Sequence, residues 1–196
     1  MKVTEANNYI LDKLTKELDP NLHYHSIHHI KDVLRSSIQL ANLENIGEYE
    51  QKLISTAVCY HDSGFLFQYK DHEERSCVIA REDLPSYGFN QQDIDIICGM
   101  IMATKIPQTP HNLLEQIVCD ADLDYLGRDD FWTIGANLYK ELNIIGVLQN
   151  EEQWNKLQLS FLTSHQFFTK SAKNLREKGK LAHLDKIINI VNNYSK

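Results

Sequence analysis

The sequence lacks features that define several large classes of protein. No apolar run approaches about 18 residues and no apolar segment follows the first methionine, so we expect neither a membrane span nor a secretory signal. Lysine and arginine (20) are outnumbered by aspartate and glutamate (27), which gives a net charge of -7. Long nucleic acids are held by basic surfaces, so we expect no partner of that kind.

Cysteine is scarce and scattered. The four thiols, Cys59, Cys77, Cys98 and Cys119, form no C-x-x-C pair, and each lies in a segment with the apolar pattern of a helix face. Disulfide frameworks and thiolate metal sites need grouped cysteines. These residues are therefore predicted to be buried free thiols, a usage typical of a reducing cytoplasm, which is the predicted location.

The sequence also lacks the alternating apolar pattern of β-strands, hairpin turn signals, internal repeats and low-complexity segments. Apolar residues recur instead at helical spacing, in about eight to ten segments beginning near Val3. With 196 residues, of which 42% are hydrophobic, the chain is long enough for one domain with a substantial core. We predict an all-α fold and a single domain over 1–196.

The residues that suggest chemistry centre on the pair His61-Asp62, which ends the apolar run 53–60. A carboxylate at the end of a buried segment costs several kcal/mol unless a counter-ion meets it, and a metal ion is one such counter-ion. The alternative is a solvated helix end followed by the stop signal Gly64. From the pair alone, both interpretations stay open.

Further metal-binding side chains flank this pair in the sequence. His25 and His29 stand upstream, four residues apart, and would project from one helix face if both were helical. The acid-rich segment 120–124 stands downstream. Imidazole and carboxylate ligands together suit Zn, Mn or Fe.

These segments resemble the HD-domain superfamily of metal-dependent phosphohydrolases, whose signature is a histidine, a later His-Asp pair and a distant aspartate. Residues 24–33 read Tyr-His-Ser-Ile-His-His-Ile-Lys-Asp-Val. They resemble the Y-H-N-x-x-H-A-x-D-V motif of the cyclic-nucleotide phosphodiesterase branch, with serine for asparagine and isoleucine for alanine. The resemblance covers about 22–127 and implies an HD-domain-like helical bundle, with the C-terminal helices packed on that core.

The resemblance implies a site with one or two divalent metal ions per chain, of Mn, Fe, Zn, Ni, Co or Mg. The implied metal ligands are His29, His61, Asp62 and Asp122. Aligning the Ala-Asp element of the family on Ala121 places the ligand at Asp122 rather than Asp120. Asp120 is then a candidate for a supporting position beside the ligands, and a shift of the ligand role to it stays open. Asp62 would also orient the attacking water, and His25 would protonate the leaving oxygen. The implied substrate-facing residues are His72, Thr104 and Lys105.

The activity implied by the resemblance is hydrolysis of a small phosphomonoester or phosphodiester, with a nucleotide as the expected substrate. Two alternatives stay open. A di-iron oxygenase of the same superfamily would need extra histidines between the pair and the last aspartate, where His72 and His111 stand. A non-catalytic module would bind a nucleotide and signal through a partner.

Overall fold

The protein is described by a computed structural model covering residues 1–194, so that Ser195 and Lys196 lie outside the described residues. Over residues 1–194 it contains nine α-helices, three short 3-10 turns and no strand, which confirms the all-α prediction. The helices are α1 (Val3–Glu17), α2 (Ile27–Leu43), α3 (Glu48–Tyr60), α4 (His72–Asp83), α5 (Gln91–Ala103), α6 (Leu113–Asp122), α7 (Phe131–Ile144), α8 (Glu151–Ser164) and α9 (Lys170–Asn193).

Four of the nine described helices start at side-chain caps that are visible in the sequence. Asn90 begins α5 with a reciprocal capping box, in which its side chain accepts from the Asp93 backbone and the Asp93 side chain accepts in return. Asn112, Asn150 and Thr169 cap α6, α8 and α9. These oxygens accept from N–H groups that have no partner within the helix, and this fixes the boundary.

The apolar pattern of the sequence predicts the last helix over 181–193, but α9 begins earlier, at Lys170. Its first turns, 170–180, carry few apolar residues and several lysine side chains. These residues favour a helix, but they do not produce an apolar period that marks one. The Thr169 side chain, which accepts from the Ala172 N–H, caps the observed start.

The described chain divides into two compact units. The first comprises Met1–Asp19 and His25–Leu123, and the second comprises Pro20–Tyr24 and the chain from Asp124 onward. The prediction of one domain over 1–196 stays a prediction. None of the described helices is both long and apolar enough to cross a bilayer.

Helix α3 is the central element of the first unit. It packs against α1, α2, α4, α5 and α6, and its last five residues, 56–60, are all buried. An element surrounded in this way buries several faces, which explains why its apolar run has no polar stripe. The chain that leaves α3 therefore emerges inside the unit, where His61 and Asp62 are 1% and 3% exposed.

In the second unit, α9 packs against α8 and against the 3-10 turn Asp124–Gly127. Gly127 and Gly179 allow this close approach, since a Cβ on Gly127 would lie 2.2 Å from the Arg176 carbonyl oxygen. Arg176 Nε donates to Asp124 Oδ1 over 2.6 Å. A buried carboxylate with a guanidinium partner of this kind ties the helix to the turn.

Candidate metal centre

Three helices of the first unit bring the predicted metal ligands together. His29 lies in the first turn of α2, His61 and Asp62 follow the last turn of α3, and Asp122 is the last residue of α6. The His61 carbonyl accepts from Ser76 Oγ over 2.6 Å, and the Gly64 backbone N–H donates to the same Oγ over 2.8 Å. This serine on α4 therefore holds the backbone on both sides of Asp62.

The candidate ligand atoms of His29, His61 and Asp122 all lie within 4.8 Å of one another. Asp122 Oδ1 is 3.0 Å from His29 Nε2 and 3.5 Å from His61 Nε2. Asp62 Oδ2 joins the group, 3.5 Å from His29 Nε2 and 3.3 Å from His61 Nε2. Two imidazole nitrogens and two carboxylate oxygens thus converge on one point.

The donor set fits a divalent metal ion. Among the described residues, His61 Nε2 and Asp62 Oδ2 are buried without a hydrogen-bond partner. His61 Nδ1 lies 2.7 Å from the Val58 carbonyl, so the N–H on Nδ1 donates there and Nε2 keeps its lone pair for a ligand bond. Buried polar atoms without partners are costly, and a cation at this point would satisfy both of them.

The electrostatics of the cluster also favour a cation. Burial opposes the charged form of the His61 imidazole, but the carboxylates of Asp62 and Asp122 outweigh it and raise the pKa of His61 to about 9. Burial likewise opposes the charged forms of the two carboxylates, but the surrounding imidazoles hold the pKa of each well below its usual range. Both carboxylates are therefore ionised, and their negative charges favour a cation at the point where the ligand atoms converge.

His72 faces the other oxygen of the Asp62 carboxylate. Its Nε2 lies 3.5 Å from Asp62 Oδ1, while its Nδ1 is 3.2 Å from the Tyr69 carbonyl. Burial works against protonation of this imidazole, but Asp62 outweighs the effect and raises the pKa of His72. The structure thus places His72 beside the ligand cluster, on the side of Asp62 that faces away from His61.

The comparisons with solved structures agree on the architecture. A protein described as a predicted HD superfamily hydrolase, from an uncultured Thermotogales bacterium, gives a TM-score of 0.63 at 19% identity, over 97% of this chain and 92% of that one. Bacillus subtilis YpgQ, solved in complex with ADP, gives a TM-score of 0.67 at 17% identity, over 98% of this chain and 97% of that one. A Lactobacillus plantarum protein gives a TM-score of 0.68 at 14% identity, over 100% of this chain and 99% of that one. The chain has an HD-domain-like fold. The predicted fold type is confirmed.

Sequence comparison gives weaker evidence than the comparison of structures. No protein-family model matches the chain. An uncharacterised protein from Clostridium beijerinckii is 34% identical over 97 residues, a segment that spans 48% of this chain and 61% of that protein. The assignment to the HD-domain-like fold therefore depends on the tertiary structure.

His25 lies beside the cluster, but it does not do so through a helix face shared with His29. Helix α2 begins at Ile27, so His25 precedes the helix and does not share a helix face with His29. Its ring stacks on Phe65, with centroids 4.3 Å apart, and lies 6.0 Å from the His72 ring. Phe65 also stacks on His72 at 4.0 Å. One aromatic ring thus contacts both imidazoles.

The structure places Thr104 and Lys105 in other interactions. Thr104 is buried, and its hydroxyl donates to the Ile101 carbonyl over 2.8 Å. Lys105 Nζ lies 2.8 Å from Asp71 Oδ1 and also contacts Glu74. Lys105 therefore ties the loop after α5 to the start of α4. The substrate-facing roles of Thr104, Lys105 and His72 stay predictions, as does the role of His25 as proton donor.

Two residues of this site were not assigned a role from the sequence. Phe65 lies in the aromatic segment just after the His-Asp pair, and its only sequence signal was that position. Ser76 ends the H-E-x-x-S element 72–76, but nothing in the sequence shows that its hydroxyl bonds the chain on both sides of Asp62.

Asp120, the alternative considered for the ligand Asp122, is fully buried.

Proposed function

We propose that this chain is a metal-dependent phosphohydrolase. The observation that carries the proposal is the convergence of His29, His61 and Asp122, with the Asp62 carboxylate beside them, around two buried atoms that lack hydrogen-bond partners. Mixed imidazole and carboxylate donors suit Zn, Mn or Fe. Similarity to a structure described as a predicted HD superfamily hydrolase supports the same reaction class.

In this proposal the four side chains of His29, His61, Asp62 and Asp122 hold a divalent ion. When bound, the ion acidifies a water and neutralises charge on the phosphate. Asp62 orients that water, since its second oxygen faces His72 and can accept a hydrogen bond. His25, held against Phe65, donates a proton to the leaving oxygen. Phe65 keeps the two imidazoles in place.

We propose a nucleotide as the substrate. The solved YpgQ structure, which shares the fold, contains ADP. A protein with a net charge of -7 needs a local positive centre to bind an anion of this kind, and a divalent ion supplies one. The phosphate would thus approach the ligand cluster, while the choice of base depends on side chains farther out.

The test is a hydrolysis screen with Mn, Co, Ni, Zn, Mg and Fe(II) over nucleotides, cyclic nucleotides, dinucleoside polyphosphates and guanosine tetraphosphate. We expect turnover with at least one metal, lost in Asp62→Ala and His61→Ala together with the bound metal. His25→Ala is expected to lower turnover and to keep the metal content. Full activity in Asp62→Ala would refute the site.

The same experiment separates the two alternatives. An oxygenase requires further imidazole ligands, and His72 lies beside Asp62, whereas His111 is exposed and its backbone N–H donates to Glu115. Two irons per chain with oxygen consumption would favour the oxygenase. Tight nucleotide binding without turnover under every metal would favour the signalling module.

A further inference from the structure

Two of the four cysteines face each other across the contact between α4 and α5. Cys77 Sγ lies 3.5 Å from the Cys98 carbonyl oxygen, and Cys98 Sγ lies 3.8 Å from the Cys77 carbonyl oxygen. Each sulfur thus reaches the other residue's backbone, which places the two thiols side by side between the helices.

The next turn of the same two helices confirms the pairing of these faces. Arg81, one turn after Cys77 on α4, donates to Asp95 Oδ1 over 2.7 Å, and Asp95 lies one turn before Cys98 on α5. The cysteine pair therefore lies beside a solvent-exposed ion pair, in which the Arg81 and Asp95 side chains are 46% and 55% exposed. Cys77 and Cys98 are themselves 8% and 4% exposed.

We propose that Cys77 and Cys98 are a redox-active pair, which a peroxide or a disulfide reagent converts to an intramolecular disulfide between α4 and α5. Nothing in this proposal depends on the proposed phosphohydrolase activity. Both thiols are free in the structure, so the reaction starts from the state described here. A disulfide between neighbouring helices requires adjacent sulfurs, and this pair provides them.

The chemistry proceeds in two balanced steps when hydrogen peroxide is the oxidant. The Cys98 thiolate attacks one peroxide oxygen, forming a sulfenic acid and releasing hydroxide, which takes up the proton that the thiol lost. The Cys77 sulfur then attacks the sulfenyl sulfur, so that the S–S bond forms and water leaves. Overall, two thiols lose two hydrogens and two electrons, and the peroxide is reduced to two molecules of water.

The surroundings of the two thiols differ in their effect on the pKa. The neighbouring Cys77 thiol and the positive charge of Arg81 lower the pKa of Cys98, while burial opposes them. The neighbouring Cys98 thiol and burial raise the pKa of Cys77. The thiolate is the reactive form of cysteine, so Cys98 is the first to react.

The other two cysteines provide internal controls. Burial raises the pKa of the Cys59 thiol to about 12. Burial raises that of Cys119 as well, and the Cys119 thiol donates to the Ala103 carbonyl over 3.1 Å. Both residues are fully buried. A reagent that reaches the pair in the folded protein should leave these two thiols unreacted.

The disulfide would have a structural consequence close to the candidate metal centre. Ser76, the residue before Cys77, bonds the His61 carbonyl and the Gly64 N–H. A covalent link from Cys77 to α5 would restrain the helix from which this serine reaches the chain around Asp62. The oxidised and reduced proteins would then differ in the freedom of α4 relative to α5, whatever reaction the site performs.

The test uses the folded chain 1–196, reduced and then freed of reductant, with hydrogen peroxide near neutral pH. We expect the mass to fall by two hydrogen atoms, and unreduced peptide maps to join the peptides of Cys77 and Cys98. Thiol labelling should show Cys98 reacting at least about tenfold faster than Cys59 and Cys119. Dithiothreitol should restore the original mass.

Cys77→Ser and Cys98→Ser should each abolish the mass loss, while Cys119→Ser serves as the matched control and should leave it intact. The wild-type peptide map does not depend on whether any variant folds. Three results would overturn the proposal: a disulfide that forms only in denaturant, one that joins two chains, or oxidation to sulfinic acid without an S–S bond.

Discussion

Asp62 presents its two carboxylate oxygens to different neighbours. Oδ2 faces the imidazoles of His29 and His61, whereas Oδ1 faces His72. A carboxylate shared in this way can bind an ion with one oxygen and accept a hydrogen bond from water with the other. In the proposed mechanism, one oxygen of Asp62 would therefore bind the ion and the other would orient the water.

The contribution of His29 can be tested against its neighbour in the sequence. His29→Ala removes one of the converging imidazole nitrogens, whereas His28 is exposed on the first turn of the same helix. We expect His29→Ala to lower metal content and to reduce turnover by about 100-fold or more, because loss of a ligand also misplaces the water. His28→Ala should change neither. Equal metal content in both variants would contradict the ligand role.

A second residue-scale prediction concerns His165, whose two ring nitrogens are buried without hydrogen-bond partners among the described residues. Its ring meets Phe161 and Phe167. Burial, aided by the charge of Lys180, lowers the pKa of His165 to about 4 from 6.5. Between these values the unfolded chain binds a proton that the folded chain excludes, so stability should fall as pH drops from about 6.5 to 4.

The difference in pKa corresponds to roughly 3 kcal/mol at most, at about 1.4 kcal/mol per unit. Urea unfolding at several pH values, with wild type and His165→Gln, measures it. The variant should lose this part of the pH dependence, because glutamine does not titrate. The same slope in both proteins over this pH range would show that another group is responsible.

At the scale of elements, the contact between the chain after α3 and the start of α4 determines where the His-Asp pair lies. Gly64 sits against α4, and a Cβ on it would lie 2.0 Å from the His72 carbonyl oxygen and 2.7 Å from the carbonyl carbon. Those atoms belong to the backbone, so they cannot rotate away. The absence of a side chain at this position thus brings His72 beside Asp62.

We therefore expect Gly64→Ala to destabilise the protein by about 3 kcal/mol and to weaken metal binding, since the backbone must shift to accommodate the methyl group. Gly135→Ala is the matched control. Gly135 lies inside α7, where a Cβ would make ordinary 3.6 Å contacts with Gln158 and Trp154, and alanine favours a helix by roughly 0.5–1 kcal/mol. Thermal unfolding of both variants should give shifts of opposite sign.

At the scale of the whole molecule, a chain of net charge -7 keeps two ionised carboxylates in its interior. A cation bound in the folded state and not in the unfolded chain shifts the folding equilibrium toward the folded state. A cation at the candidate metal centre would therefore affect both the stability of the fold and the proposed activity.

Metal removal should therefore lower stability. We expect chelator-treated protein to unfold at a lower temperature, and Mn²⁺ at about 100 times its dissociation constant to add roughly 2.7 kcal/mol of stability. Asp62→Ala, treated in the same way, should show no metal-dependent shift. A wild-type unfolding temperature that no divalent ion changes would contradict a metal centre at this position.

The helices and the candidate ligands could be predicted from the sequence, but several contacts could not. The caps at Asn90 and Asn112 and the apolar run of α3 are local signals, and the structure follows them. The start of α9 was missed because its first turns carry too few apolar residues to show a period. The contacts of Phe65, Ser76 and Lys105 join segments that are distant in the chain, so no local pattern reports them.

The His-Asp pair was open to two interpretations in the sequence, as a solvated helix end or as a metal site. Residue type and order along the chain established which groups could bind a metal and that the chain is helical. Packing excludes the solvated helix end, because α3 is enclosed by five helices and Asp62 is 3% exposed. Whether charged side chains meet water or one another depends on distances between helices, and those distances exist only in the folded chain.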